Sequence, residues 1–314
     1  MKTGLIIKSQ SGFFTVQPDD GGEPVVTRVR GHLKQERQRT AIAAVGDRVT
    51  FTLNADGTGT IHTVEERRSA LSRTRTVSHD QRNLLTESEQ VLVANPDQVV
   101  FVFSVANPAF SPRKLDRFLV VAEMNRLPAV ICANKVDLIA PEEARAMFRI
   151  YEAIGYPVLY TSVVTGEGVD ALREALRGKL SVLAGSSGVG KSSLLNAVQT
   201  GLGLRVKEVS EATGKGLHTT RHTELIPLEI GGYVADTPGI RGLALFDLEP
   251  TEVDAYYREI APLVELCQFS DCTHTHEPNC AVRAAVEDGR VSAERYDSYL
   301  RLREEQKELE DKKY

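Results

Sequence analysis

No apolar run in these 314 residues is long enough to span a membrane. The opening segment, residues 1–8, is apolar only over Leu5-Ile6-Ile7, too short for a signal peptide, and reads as a strand. Both absences point to a cytoplasmic protein. Cysteine is scarce: Cys132, Cys267, Cys272 and Cys280 are the complete set. Three of them cluster, and a disulfide among three leaves one over, so metal binding is the better reading of the cluster. Cys132 stands alone in Leu127-Pro128-Ala129-Val130-Ile131-Cys132-Ala133 and is expected to be a small core residue. Positive charge is also in short supply. A net charge of −5 argues against general nucleic-acid binding.

The charge is unevenly spread. Residues 1–75 carry 12 Lys/Arg against 8 Asp/Glu, whereas residues 249–314 carry 9 against 16. The basic end is also the β-rich end. Short apolar or alternating runs recur at 5–7, 13–16, 25–29, 47–53 and 59–64, separated by turn formers such as Pro18-Asp19-Asp20-Gly21-Gly22 and Asn54-Ala55-Asp56-Gly57. Five strands in residues 1–66 suit a small closed barrel of the OB type. Arg28, Arg30, Lys34, Arg37, Arg39 and Arg48 are interleaved through it and fit a nucleic-acid groove and an ordinary solvated face equally well. Few aromatics accompany them (Phe13, Phe14, Phe51), which favours phosphate or shape contacts over base stacking. Residues 67–97, with Arg67-Arg68-Ser69-Ala70-Leu71-Ser72-Arg73-Thr74-Arg75 followed by polar sequence, read as a linker.

From Gln98 the pattern changes to strand-then-helix alternation. Val99-Val100-Phe101-Val102-Phe103-Ser104-Val105 is the continuous apolar run of a strand buried on both faces. A helix with Leu115, Phe118, Leu119 and Ala122 on one face follows at 113–126. Further strands are expected at 129–133, 158–162 and 180–184, with helices between them, so residues 98–247 read as a doubly wound α/β domain.

Its centre is Gly185-Ser186-Ser187-Gly188-Val189-Gly190-Lys191-Ser192, a G-x-x-x-x-G-K-[ST] loop between a strand and a helix that opens with Ser193. Glycines let backbone N–H groups converge on an anion, and the helix N-terminus adds its own unpaired donors. Lys191 would reach the β- and γ-phosphates, and Ser192 would be a Mg²⁺ ligand. At the end of the 129–133 strand stands Asn134-Lys135-Val136-Asp137. The Asp137 carboxylate can accept from guanine N1–H and N2–H₂, whereas adenine would leave it unpaired. Asn134 would contact the other purine edge, and the Lys135 stem would lie along the ring. The turn at Ser162 would offer backbone N–H groups to the base oxygen. After the loop helix, Thr219 or Thr220 of Gly214-Lys215-Gly216-Leu217-His218-Thr219-Thr220 is expected to close on Mg²⁺, and Asp236-Thr237-Pro238-Gly239 to supply Asp236 for Mg²⁺ and the Gly239 amide for the γ-phosphate.

The order of these motifs is unusual. Asn134 precedes Gly185 by 51 residues, so the sequence runs 4-5-1-2-3 where ordinary small GTPases run 1 to 5. Such a circular permutation changes connectivity and leaves the site intact in space. Residues 248–314 then form a mainly helical C-terminal domain with Cys267-x₄-Cys272-x-His274-x₅-Cys280. Three thiolates and one imidazole make a closed, structural type of zinc set. Either His274 or His276 can supply the imidazole. The chain ends in a charged helical pattern over 292–313, with Tyr296, Tyr299, Leu300 and Leu309 as its thin apolar stripe.

A basic β-barrel, a permuted GTPase and a C-x₄-C-x-H-x₅-C module together resemble the bacterial ribosome small-subunit-dependent GTPases, the RsgA (YjeQ, YloQ) family. The local strings at 185–192, 218–220, 236–239 and 272–280 also match, and the resemblance covers the whole chain. It implies GTP hydrolysis stimulated by the 30S subunit late in its maturation. It implies one structural zinc per chain on Cys267, Cys272, His274 and Cys280, Mg²⁺ with GTP, and contact of the barrel with 16S rRNA. A monomer exchanging GTP and GDP is expected, with no membrane partner. A GTP-gated RNA-binding or signalling adaptor is the alternative. Where many GTPases carry a water-orienting Gln, this chain has Ile240. Slow intrinsic hydrolysis is therefore expected, with His218, then His222, or the ribosome completing the site. Gly188 stands where potassium-activated relatives place Asn, so no potassium dependence is expected.

Overall fold

A computed structural model of the chain describes residues 1–30, 42–79, 84–204, 223–236 and 248–311. Five strands open it: β1 (Lys2–Gln10), β2 (Phe13–Pro18), β3 (Val25–Val29), β4 (Arg48–Leu53) and β5 (Gly59–Val64). They pair in the order β1-β2-β3-β5-β4, and β4 returns to β1 through Lys2↔Phe51 to Leu5↔Arg48. The sheet is therefore closed, which removes its edges. Alternation sends Ile6, Phe14, Val16, Val49, Phe51 and Ile61 inward. The expected barrel is present.

Residues 67–97 are not a plain linker. They hold β6 (Ala70–His79) and β7 (Leu84–Ala94), an antiparallel hairpin paired from Ala70↔Ala94 to His79↔Leu84 with one register shift between Leu71 and Ser72. The sequence disguised it, because polar Thr and Arg alternate where apolar residues usually announce a strand. At its base Leu71, Val93 and Ala94 are buried. The Arg67 guanidinium forks onto the fully buried Asp47 of the barrel (Nε–Oδ1 2.8 Å, Nη2–Oδ2 2.7 Å), and Ala94 N donates to Val45 O at 2.8 Å. The hairpin thus grips the barrel before the chain enters the next domain.

That domain contributes β8 (Gln98–Ser104), α1 (Pro112–Met124), β9 (Ala129–Asn134), α2 (Pro141–Ala153), β10 (Val158–Thr161), α3 (Val169–Leu176), β11 (Leu180–Ala184), α4 (Lys191–Val198), β12 (Glu224–Pro227) and β13 (Tyr233–Asp236). Strand order is β10-β9-β8-β11-β13-β12, parallel except for β12. The alternation of β8 explains the two layers. Val99, Phe101 and Phe103 join a core with α1 and α2, while Val100 and Val102 join a second core with Leu172, Leu176, Leu194 and Leu195 of α3 and α4. Cys132 lies in that second core, fully buried, and burial pushes its thiol up to about 12, as befits an inert core residue. Among the described residues the barrel meets this sheet at one register pair, Lys8↔Glu224, whose side chains also form an exposed ion pair at 3.0 Å.

The C-terminal region is a 3₁₀ turn (Val253–Tyr256) followed by α5 (Ala261–Val264), α6 (Ala281–Glu287) and α7 (Ala293–Asp311). The buried stripe of α7 differs from expectation. It is Arg295, Ser298, Tyr299, Leu302 and Gln306, while Leu309 stays 44% exposed. Arg295 is buried because its charge is met: Nη1 donates to Asp116 of α1 at 2.6 Å and Nε to Glu259 at 2.6 Å. Tyr151 of α2 also donates to Asp116 at 2.9 Å. Burial alone would favour a neutral Arg295, but Glu259 and Asp116 outweigh it and keep the guanidinium charged. So α7 docks on the GTPase helices as well as on its own module.

Candidate nucleotide and metal sites

The Asn134–Asp137 segment and the glycine-rich loop 185–192 sit side by side at the carboxyl ends of β8, β9, β10 and β11, where parallel sheets bind ligands. Parallel pairing of β9 with β10 sets Asn134 against Thr161. The buried Asn134 Nδ2 donates to Val189 O at 2.8 Å, and Thr161 Oγ1 donates to Asn134 Oδ1 at 3.1 Å. Lys135 has left-handed backbone (φ 63°), which ends the strand and turns its side chain over the loop, where Nζ donates to Gly188 O at 2.8 Å and also to Asn107 O. Val136 is buried at the start of the 3₁₀ turn Val136–Leu138, and that turn leaves Asp137 exposed.

Ser162 is engaged within the protein through both its backbone and its side chain. Its backbone N–H is taken by Glu167 O at 2.9 Å. Its hydroxyl instead donates to Asp137 Oδ1 at 2.5 Å while accepting from Val164 N and Thr165 N, each at 3.2 Å. The hydroxyl's own donors fix the direction of its proton, which aims the carboxylate. Thr161 was missed by sequence reasoning. Its only signal is its place at the end of β10, beside the last residue of β9.

The loop itself depends on two glycines. Gly185 sits at φ +155° with a Cβ position 2.2 Å from Val102 O, and Gly190 sits at φ +97° with a Cβ position 2.3 Å from Asn134 Nδ2. Any side chain at 190 would displace the amide that holds Val189. Val189 is buried beneath the loop, Ser187 is exposed, and Ser186, Gly188, Ser192 and Ser193 are half-buried. Lys191 Nζ lies over the loop, donating to Gly185 O at 2.7 Å and Ser186 O at 2.8 Å. The backbone of Asp236 ends β13 in register with Leu183, two residues before the loop. His218, Thr219, Thr220, His222, Gly239 and Ile240 lie outside the described residues.

In the C-terminal module Cys267, Cys272, His274 and Cys280 bring four ligand atoms within 4.8 Å of one another, a group that can hold a metal ion. Cys267 Sγ is 3.9 Å from Cys280 Sγ, and His274 Nδ1 is 3.5 and 3.4 Å from those two sulfurs. His274 is fully buried with φ +60°, held there by Tyr296 Oη on its carbonyl at 2.5 Å and Tyr299 Oη on that of Thr273 at 3.0 Å. Its Nε2 meets Asp254 Oδ2 at 3.0 Å. His276 faces solvent instead and bonds Thr275 Oγ1 through Nδ1 at 2.8 Å. The Glu277 carboxylate shapes this loop by accepting from Thr273 N at 3.0 Å, Thr275 N at 2.9 Å and His276 N at 3.1 Å. Burial opposes its ionisation, but the Thr273 hydroxyl and the backbone donors hold its carboxyl well below the usual range.

Two family models match the chain. The RsgA N-terminal domain covers residues 3–61, and the RsgA GTPase covers residues 64–246. The chain belongs to the RsgA GTPase family. The family's GTPase model begins before the hairpin, so β6 and β7 fall inside it. The small ribosomal subunit biogenesis GTPase RsgA of Gemmatimonas aurantiaca is 46% identical over 305 residues, 96% of this chain and 97% of that protein. The protein of the same name from Thermotoga maritima is 40% identical over 303 residues, covering 96% and 95%. Among solved structures, YjeQ from Thermotoga maritima superposes with a TM-score of 0.79 at 36% identity, covering 97% of this chain and 98% of that one. YloQ, described as a circularly permuted GTPase, gives 0.75 at 34% identity and covers 98% and 96%. This RsgA-family chain is thus a GTP hydrolase with the permuted order its motifs imply.

Proposed function

We propose that this chain hydrolyses GTP to GDP and phosphate as a late maturation factor of the 30S ribosomal subunit, with turnover stimulated by that subunit. The observation that carries the GTP reading is the bonding of Asn134 and Lys135 into the phosphate loop at Val189 and Gly188. Base recognition and phosphate binding are thereby one connected site. The ribosomal reading rests on relatives named for small-subunit biogenesis over nearly the whole chain.

Within this reading, Asp137 accepts from guanine N1–H and N2–H₂, aimed by Ser162. Asn134, Lys135 and Val136 complete the base pocket. Gly185, Ser186, Ser187, Gly188, Val189, Gly190, Lys191, Ser192 and Ser193 surround the phosphates. Ser192, Asp236 and either Thr219 or Thr220 hold Mg²⁺, directly or through water, and Mg²⁺ neutralises charge on the β- and γ-phosphates. Gly239 meets the γ-phosphate. Ile240 offers no polar atom for the attacking water, so His218 is assigned that role, with a ribosomal group as the alternative.

Zn²⁺ suits the C-terminal cluster. A tetrahedral ion with bonds of about 2.3 Å to sulfur and about 2.0 Å to nitrogen needs edges of about 3.8 and 3.5 Å. The distances of 3.9, 3.5 and 3.4 Å fit those edges. Four protein ligands close the coordination shell, so the ion is structural. For 16S rRNA, the barrel offers exposed Phe13 with the Arg28 guanidinium 4.2 Å over its ring, a pair suited to phosphate and base contact. Among the described residues no helix is long and apolar enough to cross a membrane, and a cytoplasmic monomer is the form proposed.

GTP turnover measured against 30S concentration tests the assignment. A saturating rise is expected, and a flat response would sink the ribosomal reading. Equal stimulation by free RNA would favour a GTP-gated RNA-binding adaptor. His218→Ala with unchanged 30S-stimulated turnover would remove His218 from the mechanism.

A further inference from the structure

The metal cluster and the seam with the GTPase domain meet in one short segment, residues 253–259. From it Asp254 reaches His274 Nε2 at 3.0 Å. Arg258 Nε donates to Glu123 of α1 at 2.7 Å, its Nη1 donates to Gly155 O at 3.1 Å, and its guanidinium covers the Tyr156 ring at 3.9 Å. Glu259 accepts from Arg295, which donates in turn to Asp116 of α1. Val253, Tyr257 and Ile260 are fully buried, so the segment is fixed by packing as well as by its polar contacts.

The two nitrogens of His274 face different neighbours. Nδ1 points into the thiol cluster and Nε2 points at Asp254. A neutral imidazole carries one proton, and a carboxylate beside Nε2 favours placing it there, which leaves the Nδ1 lone pair for a metal. His274 is fully buried, so loss of the carboxylate would leave Nε2–H without a partner that solvent can replace. We propose that Asp254 is a positioning residue for the metal, and that through it metal binding and docking of residues 253–259 on α1 and on Gly155 and Tyr156 are thermodynamically linked. The linkage runs both ways: an ion that fixes His274 fixes Asp254, and a segment anchored on Glu123 and Asp116 presents Asp254 to the imidazole. The proposal rests on the reading of the cluster as a Zn²⁺ site.

Zn²⁺ affinity of the full chain is measured by competition with a chromophoric chelator. Hydrogen exchange over α1 and residues 253–260 is followed with Zn²⁺ and with chelator. In the unaltered chain, Zn²⁺ slows exchange in both regions. Asp254→Ala binds Zn²⁺ about 10–100-fold more weakly and loses the Zn²⁺-dependent protection of α1. Asp254→Asn keeps an acceptor oxygen and falls between the two, and His276→Ala binds as the unaltered chain does. An Asp254→Ala affinity within twofold of the unaltered chain, or undiminished Zn²⁺-dependent protection of α1, overturns the inference while leaving the zinc reading intact. Failure of the unaltered chain to bind Zn²⁺ overturns both. Circular dichroism and GTP binding report folding of each variant. If Asp254→Ala does not fold, Asp254→Asn decides: a threefold or greater loss of Zn²⁺ affinity is expected, and none overturns the proposal.

Discussion

The GTPase domain is flanked by two seams of opposite character. On the C-terminal side a fully buried arginine bridges two carboxylates from two domains, Asp116 and Glu259, and stacks near Tyr257 at 4.5 Å. On the barrel side the sheets pair at one residue pair among the described residues, and its ion pair, Lys8–Glu224, is a third or more exposed on each partner. Buried charge makes a seam costly to break, because each group left behind has lost its water as well as its partner. Exposed charge makes a seam cheap to break, because water stands in for the partner. The barrel is anchored instead through the hairpin base, where Arg67 meets Asp47. The C-terminal module is thus bound to the GTPase helices directly, and the barrel mainly through the chain that follows it.

Four substitutions grade this contrast. Arg295→Ala strands Asp116 and Glu259, and should lower stability by about 3–5 kcal/mol in denaturant unfolding of the full chain. A loss no larger than that of a surface pair would refute the description of this seam. Arg67→Ala leaves fully buried Asp47 with Ala44 N at 2.7 Å but no counterion. A cost of about 2–3 kcal/mol is expected, read as faster exchange of the hairpin base and of the barrel residues around Asp47. Arg258→Ala removes a partly exposed contact to Glu123 and the cover of Tyr156, with an expected cost of about 1 kcal/mol. Lys8→Ala should change stability by no more than about 0.5 kcal/mol, and raised salt should shrink even that. A large Lys8 effect would mean that the sheet-to-sheet contact matters more than its exposure suggests.

Much of the GTPase domain was legible because its signals are local. The apolar runs of β8, β9 and β11 announce strands buried on both faces, and the glycine loop and Asn134–Asp137 announce their chemistry by spacing alone. The chain order of these motifs yields the permutation without a structure. What escaped detection depends on distant partners. Arg295 looks like one charge among many on α7, and only Asp116 and Glu259, 179 and 36 residues earlier, explain why it is buried. Thr161 looks like an ordinary strand-end residue until β10 lies beside β9 and sets it against Asn134. The hairpin at 70–94 escaped because a strand with polar residues at alternate positions carries no apolar pattern. His274 was available from the family spacing; what that spacing does not encode is how the backbone conformation and the carbonyl contacts of Tyr296 and Tyr299 hold it in the cluster.

The bond from Asn134 to Val189 also has a consequence in time. The ribosome makes Asn134 before Val189, 55 residues earlier in the chain. In the unpermuted order the phosphate loop is made first and the base-reading strand comes late. Here β8, β9 and β10 are synthesised before β11, which then enters beside β8 with Leu183 against Val100 and offers its other edge to β13. Domains generally fold as units during synthesis. On that schedule the Asn134 amide is made first and gains its partner only once Val189 has been made.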